Sequence, residues 1–203
     1  IVLLISAFIA DAQHSIARKW NEVLLEGIRN DFARPTVHAR NLFQISAAMY
    51  DAWAVFSPTD HTYLLGKEVH GFLSPFEGFD GTANEIEDLR AKAISYAAYR
   101  MIEHRFASSP GVDYIMALAD SMLVEAMGFD QFFTSTDYST GSAAALGNYI
   151  ATQYIAYGLQ DGSHEELKYE NTYYVPVNDP INLTIPGNSN ISKPNRWQPI
   201  SFD

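Results

Sequence analysis

The chain has 203 residues, 47% of them hydrophobic, and 13 Lys and Arg against 24 Asp and Glu give it a net charge of −11. That length supports one domain with a core of its own, or one domain with an appendage, and the acidity argues against a nucleic-acid or anionic-membrane surface, both of which need clustered positive charge. The absence of cysteine excludes disulfides, thiolate nucleophiles, iron–sulfur clusters and zinc sites built on Cys.

Ile1 to Ala10 is apolar apart from Ser6, and Ala10-Asp11-Ala12 fits a small-x-small cleavage pattern. The run is too short for a membrane span, which takes about 20 apolar residues. It has no initiator Met and no basic segment ahead of it. The pattern predicts residues 1–12 as a truncated signal peptide, a mature chain from near Gln13, and an exported bacterial protein, periplasmic or extracellular. A buried N-terminal strand or helix is the alternative.

A helical unit is expected over 13–158. The first helix is predicted from Ser15 to Asn30, with Ile16, Trp20, Val23, Leu24 and Ile28 on one face and Gly27 weakening its last turn. Pro35 opens a second helix reaching about Phe56. It is apolar nearly all round, which predicts the central buried helix. Residues 57–81 carry four glycines and two prolines and read as a long connection holding short elements of its own. Thr82 to Glu85 matches a capping box for a third helix to about Phe106, whose inner face is Ile86, Leu89, Ala93, Ala97 and Met101. Ser109-Pro110 predicts the start of a fourth helix with Ile115, Leu118, Met122, Leu123 and Ala126 inward, stopped by Gly128. A fifth is expected from Ser139 to Tyr157. Residues 159–203 hold five of the nine prolines and several aromatics, and predict an extended segment packed over a surface. The expected fold class is all-α, a bundle of about five main helices with a long irregular C-terminal segment.

Chemistry has few candidates. "RNDFARPTVHARNLF", residues 29–43, concentrates three arginines and a histidine near a helix N-terminus, where an anion can bind. The same residues serve as a turn, with Arg29 and Asp31 capping one helix, Pro35 starting the next and His38 as a packing residue. Arg40 and Asp51 share a face of an apolar helix but stand about 16 Å apart along it. They predict two buried clamps to other parts of the chain, with a catalytic Asp–Arg pair or a metal site on Asp51 and His38 as alternatives. The six histidines show no HExxH spacing. Asp161 to Glu166 reads as a solvated acidic loop, with weak calcium binding as the other reading. Sequons stand at Asn182 and Asn190. No catalytic, cofactor-binding or metal-binding residue is assigned.

"WNEVLLEGIR" followed by "RPTVHARNLFQISAAMYDAWAVFSP" resembles the N-terminal helical region of vanadium-dependent haloperoxidase-like proteins, of the type-2 phosphatidic acid phosphatase superfamily. The shared framework is Trp20-Asn21, Pro35, Ala39-Arg40, Leu42, Ala47-Ala48 and Asp51-Ala52, and the tail from Asp161 also looks like that group. The resemblance implies a helical bundle and, in the full-length protein, vanadate or phosphate held by K-x6-R-P, Ser-Gly-His and R-x5-H motifs. Here Arg34-Pro35 has Gly27 where that lysine belongs, and Ser-Gly-His does not occur. The expectation is a scaffold fragment, not catalytic by itself, whose partner is its own missing C-terminal catalytic half. A self-contained helical binding domain is the alternative, and a homo-oligomer stays open.

Overall fold

The computed structural model describes residues 14–80, 85–170, 173–181 and 191–199. Among them five α-helices carry the chain: α1 (Ile16–Arg29), α2 (Pro35–Ala54), α3 (Ile86–Arg105), α4 (Val112–Asp120) and α5 (Ala143–Gly158). The long connection after α2 contains one small antiparallel hairpin, β1 (Glu68–Val69) with β2 (Phe72–Leu73). The class is all-α, as the periodicity predicts. The signal-like segment, Thr82 of the capping box and the asparagines of both sequons lie outside the described residues.

Two compact units divide the chain, Ile1–Gly162 and Ser163–Asp203. In the first, Ser15 caps α1 by accepting from the Arg18 N–H at 3.2 Å. Trp20 and Leu24 are fully buried. The Trp20 indole N–H donates to the Ser95 hydroxyl at 3.0 Å, and that hydroxyl donates to the Ala91 carbonyl at 2.7 Å. A polar ring tip is thus satisfied inside an apolar layer, which its burial requires. Gly27 does more than weaken a turn: a Cβ there would lie 3.0 Å from the Phe106 ring.

The central helix is α3, not α2. Residues 93 to 99 of α3 are all buried, and the helix packs against α1, α2, α4 and α5. Its small side chains, Ala93, Ser95, Ala97 and Ala98, let neighbours approach from every side. The tightest approach is α5 at Gly147, where a Cβ would meet the Ala93 carbonyl oxygen at 2.4 Å and the Tyr96 Cβ at 2.7 Å. By contrast α2 buries one face and leaves Leu42, Phe43, Tyr50 and Trp53 exposed on the other. Hydrophobicity all round a helix does not say whether a neighbour exists to cover each side.

Other boundaries move by one turn or less. Glu85 sits at the N-cap of α3 without a capping bond from its side chain. Gly111, not Ser109, is the N-cap of α4; the Ser109 hydroxyl instead donates to the Asn30 carbonyl at 3.3 Å. The inward stripe of α4 is Ile115, Ala119 and Leu123, and Ala126 is exposed. After Asp120 the helix widens into a π-helical turn, Ser121–Ala126, and ends at Gly128 with φ 70°. Residues 138–140 form a separate 3-10 turn, and Ser142 caps α5 by accepting from Ala145 N–H at 3.2 Å.

The second unit is organised by one side chain. The Asn178 amide donates to the carbonyls of Lys193, Arg196 and Trp197 at 3.0, 3.2 and 3.2 Å and accepts from the Lys193 N–H at 2.9 Å. Tyr174 meets Trp197 edge-on, ring centroids 5.8 Å apart.

Candidate functional site

The polar residues of α2 point to two separate places. Near its start, Arg40 Nε donates to Asp161 Oδ2 at 2.6 Å and Nη2 to the Gly158 carbonyl at 2.9 Å. One turn on, Gln44 Nε2 donates to the same Asp161 oxygen at 2.9 Å, and Gln44 Oε1 accepts from Arg105 Nη2. Three elements therefore converge on the C-terminal end of α5, where the helix dipole favours cations. Gly158 makes this possible. A Cβ there would stand 2.6 Å from Arg105 Nη2 and 2.7 Å from Arg40 Nη2. His104, half-buried beside them, has its pKa lowered by burial first and then by the Arg105 and Arg40 charges.

Farther along α2, Asp51 is fully buried. Its carboxylate accepts the Tyr63 N–H on one oxygen, and the Leu64 N–H, the Leu65 N–H and the Tyr154 hydroxyl on the other at 2.9, 3.1 and 3.1 Å. Three successive backbone donors plus one hydroxyl solvate the carboxylate in place of water. Burial and the Asp51 charge push the Tyr154 pKa far up, so the phenol stays protonated and remains a donor. Tyr157, one turn on, is raised too, by burial and then by the Tyr63 and Asp161 charges. Its hydroxyl lies 3.2 Å from His70 Nδ1.

Both predicted clamps are thus present, and neither reaches the other. Asp51 and His38 are not brought together, so the metal-site alternative has no geometry behind it. Asp161 is not a solvated loop residue: its side chain is only 15% exposed and pairs with Arg40. Among the described residues no group of three or more His, Asp or Glu is placed to hold a metal ion.

The stretch 29–43 folds as a turn. Asn30, rather than Arg29 or Asp31, ends α1, its amide donating to the Glu26 carbonyl at 2.9 Å. Arg29 pairs with Glu26 at 2.5 Å. Asp31 holds Arg34 Nη2 at 3.1 Å, and the Arg34 guanidinium lies over the Phe32 ring at 5.5 Å. His38 Nε2 lies 2.8 Å from the Phe32 carbonyl. Arg34 and Arg40 are both held by carboxylates, and the only histidine of the turn is tied to a backbone carbonyl.

A surface cleft of about 450 Å³ runs between α3 and α5, lined by Arg100, His104, Thr134, Thr136, Asn148 and Thr152 among others. Its strongest polar groups are committed. Arg100 donates to Glu103, Asn148 and the Gln131 and Phe133 carbonyls, and the Asn148 amide to the Phe133 and Ser135 carbonyls. These bonds strap the loop 129–137 to the bundle. Sequence reasoning missed Arg105, Gln44, Gly158, Arg100 and Asn148. Only Arg105 carried a signal, since it continues the four-residue step Ala93, Ala97, Met101 of the predicted inner face.

No protein-family model matches the sequence, and no curated protein and no solved structure matches it. No helix among the described residues is long and apolar enough to cross a membrane.

Proposed function

We propose that this chain is the helical scaffold portion of an exported vanadium-dependent haloperoxidase-like or phosphatase-like enzyme, and that it is not catalytic by itself. One observation carries the reading. Six of the residues on which the resemblance rests hold helices together: Trp20, Ala48, Asp51 and Ala52 are completely buried, Pro35 opens α2, and Arg40 is engaged by Asp161 and Gly158, while Ala39 and Leu42 are exposed. These six make a frame. The oxyanion chemistry then belongs to residues outside these 203, and the frame supplies rigidity to them.

The test is direct. Purified residues 13–203, mixed with vanadate, bromide and peroxide, are expected to give no halide oxidation, and no hydrolysis of an aryl phosphate in the absence of peroxide. Turnover above the protein-free rate overturns the reading. Coding sequence beyond residue 203 is expected to contain K-x6-R-P and Ser-Gly-His.

The second reading, a self-contained exported helical binding domain, draws on the segment Tyr173 to Val177. Tyr173 and Val175 are each 84% exposed, and such a strip offers aromatic and branched side chains to an extended partner. A stop codon soon after residue 203 favours it.

A further inference from the structure

The dipeptide Asp-Gly occurs twice in the chain, at Asp80-Gly81 and at Asp161-Gly162. In this pairing a backbone readily attacks its own side chain. The glycine nitrogen can reach the aspartate Cγ, because glycine has no Cβ to obstruct the approach. At Asp161 the structure combines that reactivity with a restraint. Gly162 has φ 80°, and no atom lies within 4 Å of where its Cβ would stand. Among the described residues its N–H donates to no backbone carbonyl. The carboxylate, by contrast, is held by α2. Arg40 Nε and Gln44 Nε2 donate to the same oxygen, Oδ2, at 2.6 and 2.9 Å. The Asp161 side chain is only 15% exposed, so water has little room to replace them.

We propose that Asp161-Gly162 is a latent isomerisation site, kept closed by the clamp from α2 and released when that clamp opens. In the reaction the Gly162 nitrogen attacks Asp161 Cγ. The N–Cγ bond forms and a Cγ–O bond breaks. The oxygen leaves as water, carrying the amide proton and one proton from solvent, and the product is a five-membered succinimide. Water then adds back at one of the two ring carbonyls. Opening at Cγ restores Asp161. Opening at the α-carbonyl gives an isoaspartyl linkage of unchanged mass, in which the backbone runs through Cβ and Cγ and the carboxylate sits on Cα. No oxidant, cofactor or second protein is needed.

To close the ring, the Asp161 side chain must turn from Arg40 and Gln44 toward its own following nitrogen, giving up two charge-assisted hydrogen bonds. At the usual strength of such bonds the clamp slows the reaction by about 10- to 100-fold. The isoaspartyl backbone is one carbon longer, and its carboxylate no longer stands where Arg40 and Gln44 share it. A clamp that opens and isomerises therefore does not re-form, and the joint keeps a covalent record that α2 and the end of α5 have come apart. This rests on the clamp alone and holds under either reading of function. The other dipeptide is an internal control, since Asp80 is exposed and among the described residues no donor holds its carboxylate.

The test incubates the 203-residue chain at neutral pH, native and in guanidinium chloride, and maps its peptides by electron-transfer fragmentation, which tells the two linkages apart. Isoaspartate at 161 is expected to form about 10-fold faster or more in the denatured chain. Arg40→Gln and Gln44→Leu each remove one donor. In variants that keep native circular dichroism, isoaspartate at 161 is expected to rise severalfold while the rate at 80 stays unchanged. Native chains isomerised at 161 are expected to unfold at lower denaturant than chains intact there. Equal native and denatured rates at 161, or folded variants in which 161 stays at the native rate, overturn the proposal. A rise shared equally by site 80 assigns the protection to folding at large and overturns it too. The denatured comparison needs no variant to fold.

Discussion

Asp51 shows what one buried charge costs and returns. Its carboxylate serves three backbone N–H groups and the Tyr154 hydroxyl at once. Asp51→Ala leaves all four donors without an acceptor, those of Leu64, Leu65 and Tyr154 buried, and the expected loss of stability is about 3–5 kcal/mol, read by urea denaturation. Tyr154→Phe removes a single donor and is expected to cost about 1 kcal/mol; equal losses would mean the hydroxyl, not the backbone donors, carries the contact. His104 acts with the opposite sign of charge. Burial and the two neighbouring arginines hold its pKa below the ordinary 6.5. The folded chain therefore takes up this proton less readily than the unfolded chain. Stability is full above about pH 6.5 and falls as pH drops toward the folded value. His104→Gln is expected to flatten the decline below about pH 6.5, and an unchanged slope would assign the acid sensitivity to other groups.

At the scale of elements, the α3–α5 crossing decides how the bundle closes. Gly→Ala inside a helix ordinarily stabilises by about 1 kcal/mol. At Gly147 the added carbon would stand 2.4 Å from the Ala93 carbonyl, so the sign reverses. Gly147→Ala is expected to lose about 1–3 kcal/mol, measured as a lower denaturation midpoint. Helix number and class were legible from periodicity, and so were the start of α1 near Ser15 and the Pro35 start of α2, because those signals are local. The rank of the helices was not. α2 is the more apolar helix to read, yet α3 is the buried one, because small residues at 93, 95, 97 and 98 admit neighbours on all sides and size is not hydrophobicity. The polar clamps were half legible. That Arg40 and Asp51 need partners follows from their place on an apolar helix. That Asp161 answers Arg40 across 121 positions does not, since "DGSHEE" alone carries only the composition of a turn.

For the whole molecule, the boundary between the two compact units falls at Gly162 rather than at the end of α5. Asp161 explains the difference, because its carboxylate ties the residues after α5 back to Arg40 and Gln44. A chain of residues 14–162 is expected to unfold cooperatively, whereas one ending at Gly158 is expected to be less stable by about 1–3 kcal/mol, having lost the carboxylate that pairs with the partly buried Arg40 guanidinium. Equal denaturation midpoints for the two lengths would remove Asp161 from the frame. The Asp51 cluster also sets an order of events in time. Its backbone donors lie 12 to 14 positions away, while Tyr154 lies 103 away. Closing the short loop costs far less chain entropy than closing the long one, so the carboxylate gathers residues 63–65 before α5 arrives. Asp51→Asn is then expected to slow refolding, while Tyr154→Phe mainly speeds unfolding. On this view the carboxylate is a kinetic guide that shapes the landing place for the last helix.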